Sequence, residues 1–188
     1  MKEKLTLRNI IVWGGAFTCL VIFCLSFAAR GRFVFMESSY IFDNIIWQVS
    51  HIRGYYNGEP MVDGYVDGKP FALPIIGVIL LLIASLGAVA ITFFLKKEKL
   101  SKILLIVAGG LALTGGIFIF TCGESVIRTF YYLSTETLDG LKDYKDTIRN
   151  LGGTWGPKFL PIFLGILGTL SGIAIGVAPF LPEKKLAK

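Results

Sequence analysis

Few residues in this sequence are of the types that carry catalysis or bind metals. It has one histidine, His51, followed by Glu59, Asp63 and Asp67 in a glycine-rich stretch. These acids could offer loop oxygens to calcium, but their spacing lacks the density of a dedicated calcium loop, and Asp-Gly pairs favour turns. A lone histidine on a polar face is more often a solvated residue than a ligand or a pH sensor. We therefore predict no catalytic residue, no metal site and no cofactor, and hence no enzyme.

Other motifs that would indicate chemistry are missing from the sequence. It contains no H-E-x-x-H, no C-x-x-C and no phosphate-binding glycine loop. Its cysteines, Cys19, Cys24 and Cys122, fall inside or at the end of apolar runs, which excludes a disulfide framework in the loops. The apolar runs have no ionisable group, which argues against a proton-coupled carrier.

Residues 54–72 contain the same pattern twice. Gly54 to Val62 (GYYNGEPMV) is followed ten positions later by Gly64 to Ala72 (GYVDGKPFA). Asn-Gly and Asp-Gly pairs are strong signals for two-residue turns. The pattern predicts a small β-meander of two similar hairpins. Before it, residues 37–53 place isoleucine and valine at helical spacing, which predicts a short amphipathic helix.

The sequence also contains four long runs of residues without charged side chains, and two of them flank the segment that holds this repeat. Residues 10–29, 73–95, 103–122 and 159–181 contain no Asp, Glu, Lys, Arg or His. About 20 apolar residues in a helix cross a hydrocarbon core of about 30 Å. The sequence therefore predicts an all-α membrane protein, a bundle of four transmembrane helices forming a single membrane domain over residues 1–188. The first run is interpreted as an uncleaved signal anchor.

The basic residues predict the orientation. Residues 1–9, the link 96–102 and residues 182–188 hold ten of the 19 Lys and Arg but only three acids, Glu3, Glu98 and Glu183. Because cytoplasmic segments carry an excess of positive charge, both termini are expected inside. Loops 30–72 and 123–158 then lie outside. The net charge of +6 reflects this anchoring pattern and not nucleic-acid binding. The basic residues concerned are Lys2, Lys4, Arg8, Lys96, Lys97, Lys99, Lys102, Lys184, Lys185 and Lys188.

Glycines in the last two runs predict how the helices pack. In the fourth run Gly168, Gly172 and Gly176 recur every four residues, which places them on one helical face and lets two backbones approach closely, and in the third run Ala112 and Gly116 are four residues apart. We favour packing of the third span on the fourth within the chain; a seam with a second copy or a partner stays open. The residues are Gly109, Gly110, Ala112, Gly116, Gly165, Gly168, Gly172 and Gly176.

The outer loops also carry helical and aromatic signals. Residues 123–158 have helical spacing through much of their length, which predicts short helices there. Aromatic residues near the membrane are usually interfacial anchors, yet those in the loops could also contact a partner. We take as such contacts, together with His51, the residues Trp47, Tyr55, Tyr56, Tyr65 and Trp155.

The layout resembles the claudin and peripheral-myelin-type tetraspan arrangement. The shared features are four spans, a long first outer loop with β-structure, a shorter second one and inner termini. In the first loop Trp47 is the only tryptophan, and neither a glycine-leucine-tryptophan triplet nor cysteines are present. The resemblance is therefore one of layout, and no residue roles carry over.

These features predict a non-enzymatic membrane scaffold or accessory subunit. Its bundle would pack against other membrane proteins or copies of itself, and its outer loops would form a recognition module. The alternatives are a channel or transporter subunit and, third, a membrane enzyme with an unrecognised outer site. Lysine-rich inner ends and short tails favour a prokaryotic plasma membrane.

Overall fold

A computed structural model describes residues 6–95 and 97–181. Within them the chain is mostly helical, with a small antiparallel sheet. Among these described residues, four helices are long and apolar enough to cross a membrane, and they support a membrane-embedded, tetraspan character. These are α1 (Leu7–Leu25), α2 (Ala72–Phe94), α3 (Glu98–Ile119) and α6 (Phe159–Val177). Several positions used to predict the orientation lie outside the described residues: Lys2, Glu3, Lys4, Lys96, Glu183, Lys184, Lys185 and Lys188.

The chain divides into two compact units. The helical unit holds most of the four long helices, and the loop unit comprises Leu25–Ile75 and Phe118–Phe163. The loop unit therefore consists of the segment that joins α1 to α2 and the segment that joins α3 to α6.

Backbone contact holds α3 against α6 in the helical unit. A Cβ atom added at Gly109 would lie 2.5 Å from the Cα of Gly176, and one at Gly168 would lie 2.9 Å from the Cα of Gly116. Such approaches leave no room for a side chain. Gly110 differs, because an added Cβ would meet no atom within 4 Å.

Side-chain hydrogen bonds join α1 to α2. Ser85 Oγ donates to the Ala16 carbonyl oxygen at 2.7 Å, and Trp13 Nε1 donates to Thr92 Oγ1 at 3.0 Å. Between apolar helices in lipid, such bonds and close packing supply the attraction that the hydrophobic effect supplies in water.

The loop unit is built on five antiparallel strands in the order β4-β3-β2-β1-β5. They are β1 (Arg30–Phe35), β2 (Ser38–Asp43), β3 (His51–Tyr56), β4 (Glu59–Tyr65) and β5 (Thr154–Pro157). Asn57 and Gly58, both with positive φ, form the two-residue turn between β3 and β4.

The helix predicted for residues 37–53 is wrong. This segment contains β2 and the start of β3, and the residues between them form turns. The helical spacing reflects burial of the link between the two strands, where Ile45, Ile46 and Val49 are fully buried. Ser38–Asp43 forms a strand in spite of this spacing, because it pairs with β1 on one side and with β3 on the other. The two pairings together satisfy its backbone N–H and C=O groups.

The prediction of two hairpins in residues 54–72 is only half right. The first repeat forms the β3–β4 hairpin, but β4 continues through Asp63 to Tyr65, so the second repeat begins inside β4 and its remaining residues pair with no strand. Its backbone is held by side chains instead. The Lys69 amide donates to Thr129 Oγ1 at 2.9 Å, and the Phe71 amide donates to Ser125 Oγ at 3.0 Å.

Helices are present in residues 123–158, as predicted. They are α4 (Gly123–Thr135) and α5 (Leu141–Asn150). α4 packs on the apolar face of the sheet, where the Phe130 ring stacks on that of Phe33 at 4.1 Å between centroids. Phe33, Phe42, Ile45, Ile46 and Ile127 are fully buried and form the core of the loop unit.

Candidate recognition surface

The two faces of the sheet differ in chemistry because side chains alternate along each strand. Phe33, Tyr40, Gly54 and Val62 lie in one cross-strand row, on the face toward α4. The next position along each strand presents the opposite face, which carries Arg30, Arg32, Asp43, His51 and Arg53. The sheet thus separates an apolar face from a charged one.

An open cavity of about 340 Å³ lies between the apolar face and α4. We call it the aromatic cleft. The rings of Tyr40 and Phe130 meet edge to face at 5.0 Å in its wall. Gly54 makes this possible, because a Cβ there would lie 2.9 Å from Tyr40 Cε1. The cleft is lined by Tyr40, Ile52, Val62, Gly64, Tyr65, Val66, Phe130, Leu133 and Ser134.

One rim of the cleft is an edge strand. β4 has a neighbour on one side only. Its large apolar side chains are exposed: Met61 at 51%, Val62 at 45% and Tyr65 at 89%. Pro60 and the bulge at Gly54/Tyr55 interrupt pairing near the turn. Pro60 therefore limits the part of this edge that can pair with another strand to Met61–Tyr65, which carries three exposed apolar side chains and the exposed Asp63 carboxylate.

Two neighbouring phenols are also partly enclosed. The rings of Tyr131 on α4 and Tyr144 on α5 lie 4.8 Å apart. Burial, and then the nearby Tyr131 and Tyr40, raise the pKa of Tyr144 above its ordinary value. The Tyr144 hydroxyl therefore stays neutral at physiological pH.

On the charged face, ion pairs with Asp43 connect side chains of neighbouring strands. Arg30 Nε lies 2.7 Å from Asp43 Oδ1, and Arg53 Nη2 lies 3.2 Å from both carboxylate oxygens. His51 bridges two strands, with Nδ1 at 3.5 Å from Asp43 and Nε2 at 2.8 Å from Asp63. Because both of its ring nitrogens face carboxylates, His51 in this arrangement connects β2 to β4.

Within residues 6–95 and 97–181, no three His, Cys, Asp or Glu side chains are grouped so that they could hold a metal ion. The cysteines among them, Cys19, Cys24 and Cys122, are free thiols, and Cys24 is exposed while the other two are buried.

The six predicted contact residues are dispersed over the loop unit. His51 and Tyr65 come together, with ring centroids 5.0 Å apart, and Tyr65 is one of the residues that line the cleft. Tyr56 is half exposed at the end of β3, and Tyr55 lies beside it in the strand. Trp155 lies on the opposite edge strand, β5, with the Arg149 guanidinium 5.4 Å from its ring. Trp47 is engaged internally, because its indole stacks on Phe27 at 5.0 Å.

Tyr40, Val62 and Phe130, which form much of the cleft, are not among the contact residues that the sequence predicts. A signal was present in Ser38–Asp43, where polar and aromatic residues partly alternate, and alternation is the pattern of a half-buried strand.

The predicted packing glycines are likewise placed in different ways. Gly109 and Gly116 on α3 meet Gly176 and Gly168 on α6, and Gly172 fits against the Leu113 backbone. Ala112 is fully buried. The Gly165 carbonyl accepts a hydrogen bond from Thr169 Oγ1 at 2.9 Å.

Compared with known proteins, the chain matches no family model, and no curated protein is significantly similar to it in sequence.

Proposed function

We propose that this chain is a non-enzymatic membrane accessory subunit or scaffold that recognises a partner protein through the aromatic cleft. The observation that carries the proposal is the exposed apolar edge of β4 beside a cavity of about 340 Å³. Isolated exposed apolar residues are ordinary on a protein surface, but an apolar rim around a concave site indicates an interaction site.

The recognition mode we propose is addition of an extended partner segment to β4. An edge strand offers unpaired backbone N–H and C=O groups, which give affinity for another strand. The adjoining cleft would take an apolar or aromatic side chain of that segment, and its lining supplies the selectivity. Pro60 limits the addition to the Met61–Tyr65 part of the edge.

The same proposal includes the position of the loop unit outside the cell. Four crossings would place both connecting loops on one side of the membrane, and the excess of lysine and arginine in residues 1–9, 96–102 and 182–188 favours the cytoplasm for the other side. We also propose that the chain lies in a prokaryotic plasma membrane and that its spans and loops have a claudin-like layout.

Site-specific photocrosslinking in native membranes tests it. A photoreactive phenylalanine at Val62 is expected to capture one discrete protein band, whereas the same group at Thr137, an exposed residue of the loop unit, is expected to capture none. Filling the cleft by Ser134→Trp should abolish the crosslink from Val62. Equal crosslinking from both positions would contradict the proposal. So would a lone monomer after extraction in mild detergent.

A further inference from the structure

A second surface of the loop unit is strongly cationic. Arg30, Arg32 and Arg53 share the charged face of the sheet, and Lys158 follows β5, where its backbone amide donates to the Arg30 carbonyl oxygen at 2.8 Å. We call these four residues the cationic patch.

Asp43 does not balance the charge of the patch. Its single carboxylate contacts both Arg30 and Arg53. Arg32 uses Nε to donate to Ser39 Oγ at 3.2 Å, a neutral partner. Among the described residues, no carboxylate lies within 4.0 Å of the Lys158 ammonium group.

The Lys158 ammonium group experiences this imbalance. Desolvation, and then repulsion by Arg30, Arg32 and Arg53, lower the pKa of Lys158 below its ordinary value, and Asp43 opposes the shift. The patch is therefore arranged for a negative group that the protein itself does not supply.

A cavity between two of these cations has apolar walls. It measures about 460 Å³ and is lined by Ala28, Arg30, Lys158, Phe159 and Leu160. Phe159 is 76% exposed and begins α6. The two cations lie directly beside the ends of apolar segments, since Ala28 ends the first and Phe159 starts the fourth. Positions at the end of a span correspond to the headgroup level of a bilayer.

We infer that the cavity between Arg30 and Lys158 binds the phosphate of an anionic phospholipid, with the acyl chains lying along the apolar residues at the start of α6. Phosphate accepts several charge-assisted hydrogen bonds from a guanidinium and an ammonium group. The apolar wall favours a lipid over a free phosphate, because a free phosphate gains nothing from Phe159 and Leu160.

The test uses the full chain in nanodiscs containing phosphatidylcholine and phosphatidylglycerol in equal amounts, released into a native mass spectrometer. Phosphatidylglycerol is expected to stay bound preferentially. Arg30→Gln with Lys158→Gln should lower its retention roughly thirtyfold, since a surface cation contributes roughly fivefold to affinity for anionic lipid. The matched control, Lys142→Gln with Arg149→Gln, removes the same charge from exposed positions on α5 and should leave retention unchanged.

A single variant and a melting-temperature measurement provide two further tests of the lipid site. Lys158→Gln alone removes no ion pair, so it tests the site even if the double variant fails to fold, and it should lower retention roughly fivefold. In detergent, phosphatidylglycerol should raise the melting temperature of the parent chain, whereas inorganic phosphate should not. Equal stabilisation by inorganic phosphate, or unchanged retention in Lys158→Gln, would overturn a lipid site here.

Discussion

The Trp47 indole nitrogen donates a hydrogen bond of 2.7 Å to Ser26 Oγ, a hydroxyl that is fully buried. This bond ties the β2–β3 link to the segment that precedes β1. We expect Trp47→Phe and Ser26→Ala to be coupled by about 1 kcal/mol in a double-mutant cycle, because either change removes the same bond. The free energy of unfolding of the full chain in detergent measures this coupling.

The control for this cycle pairs Ser26→Ala with Trp155→Phe. Trp155 lies on β5 and contacts Arg149, so the two changes should add. A coupling near zero between Trp47 and Ser26 would show that the bond contributes nothing to stability.

Gly54 leaves room for the Tyr40 ring in the wall of the aromatic cleft. We expect Gly54→Ala to lower the free energy of unfolding by about 1–3 kcal/mol, because the new methyl group would displace the Tyr40 ring from Phe130. Gly64→Ala on the next strand is the control, since a Cβ there meets no atom within 4 Å. If the two variants melted at the same temperature, Tyr40 would not be fixed where we describe it.

We expect alanine substitutions at two adjacent glycines of α3 to have opposite effects on the stability of the helical unit. Gly109→Ala should destabilise the chain by about 1–3 kcal/mol, because the added carbon would press on the Gly176 backbone. Gly110→Ala meets open space and should be neutral or stabilising by up to about 1 kcal/mol, since alanine has the higher helix propensity. Thermal unfolding in detergent distinguishes them. Equal losses would contradict close packing of α3 on α6.

The long helices could be predicted from the sequence because lipid imposes a simple requirement. Every backbone group in the hydrocarbon core must be satisfied within the segment, so a long uncharged run has a single regular solution. The glycines illustrate the limit of this argument. Spacing placed Gly109 and Gly110 equally among the packing residues, but only the structure shows that Gly109 contacts α6 while Gly110 faces open space.

The sheet could be predicted only in part because its partners are distant in the chain. The Asn57-Gly58 turn is local, and the sequence predicts it correctly. The pairing of β1 with β5 brings Phe33 opposite Trp155, and no local pattern indicates such a contact. The cleft depends on the same kind of relationship, since Tyr40 and Phe130 meet only after α4 packs on the sheet.

Lys158 gives the loop unit a measurable dependence on pH. Its pKa is lowered in the folded chain by desolvation and by Arg30, Arg32 and Arg53, so between the folded and unfolded pKa the unfolded chain binds more protons and stability rises with pH. Below both values the charged lysine is unfavourable in the fold. We therefore expect Lys158→Gln to raise the melting temperature in lipid-free detergent at pH 7, with the gain disappearing as pH approaches 10.5. As a control, Lys142→Gln, at an exposed position on α5, should show no such trend. If the rise in melting temperature of Lys158→Gln were independent of pH, charge repulsion would be excluded as its cause.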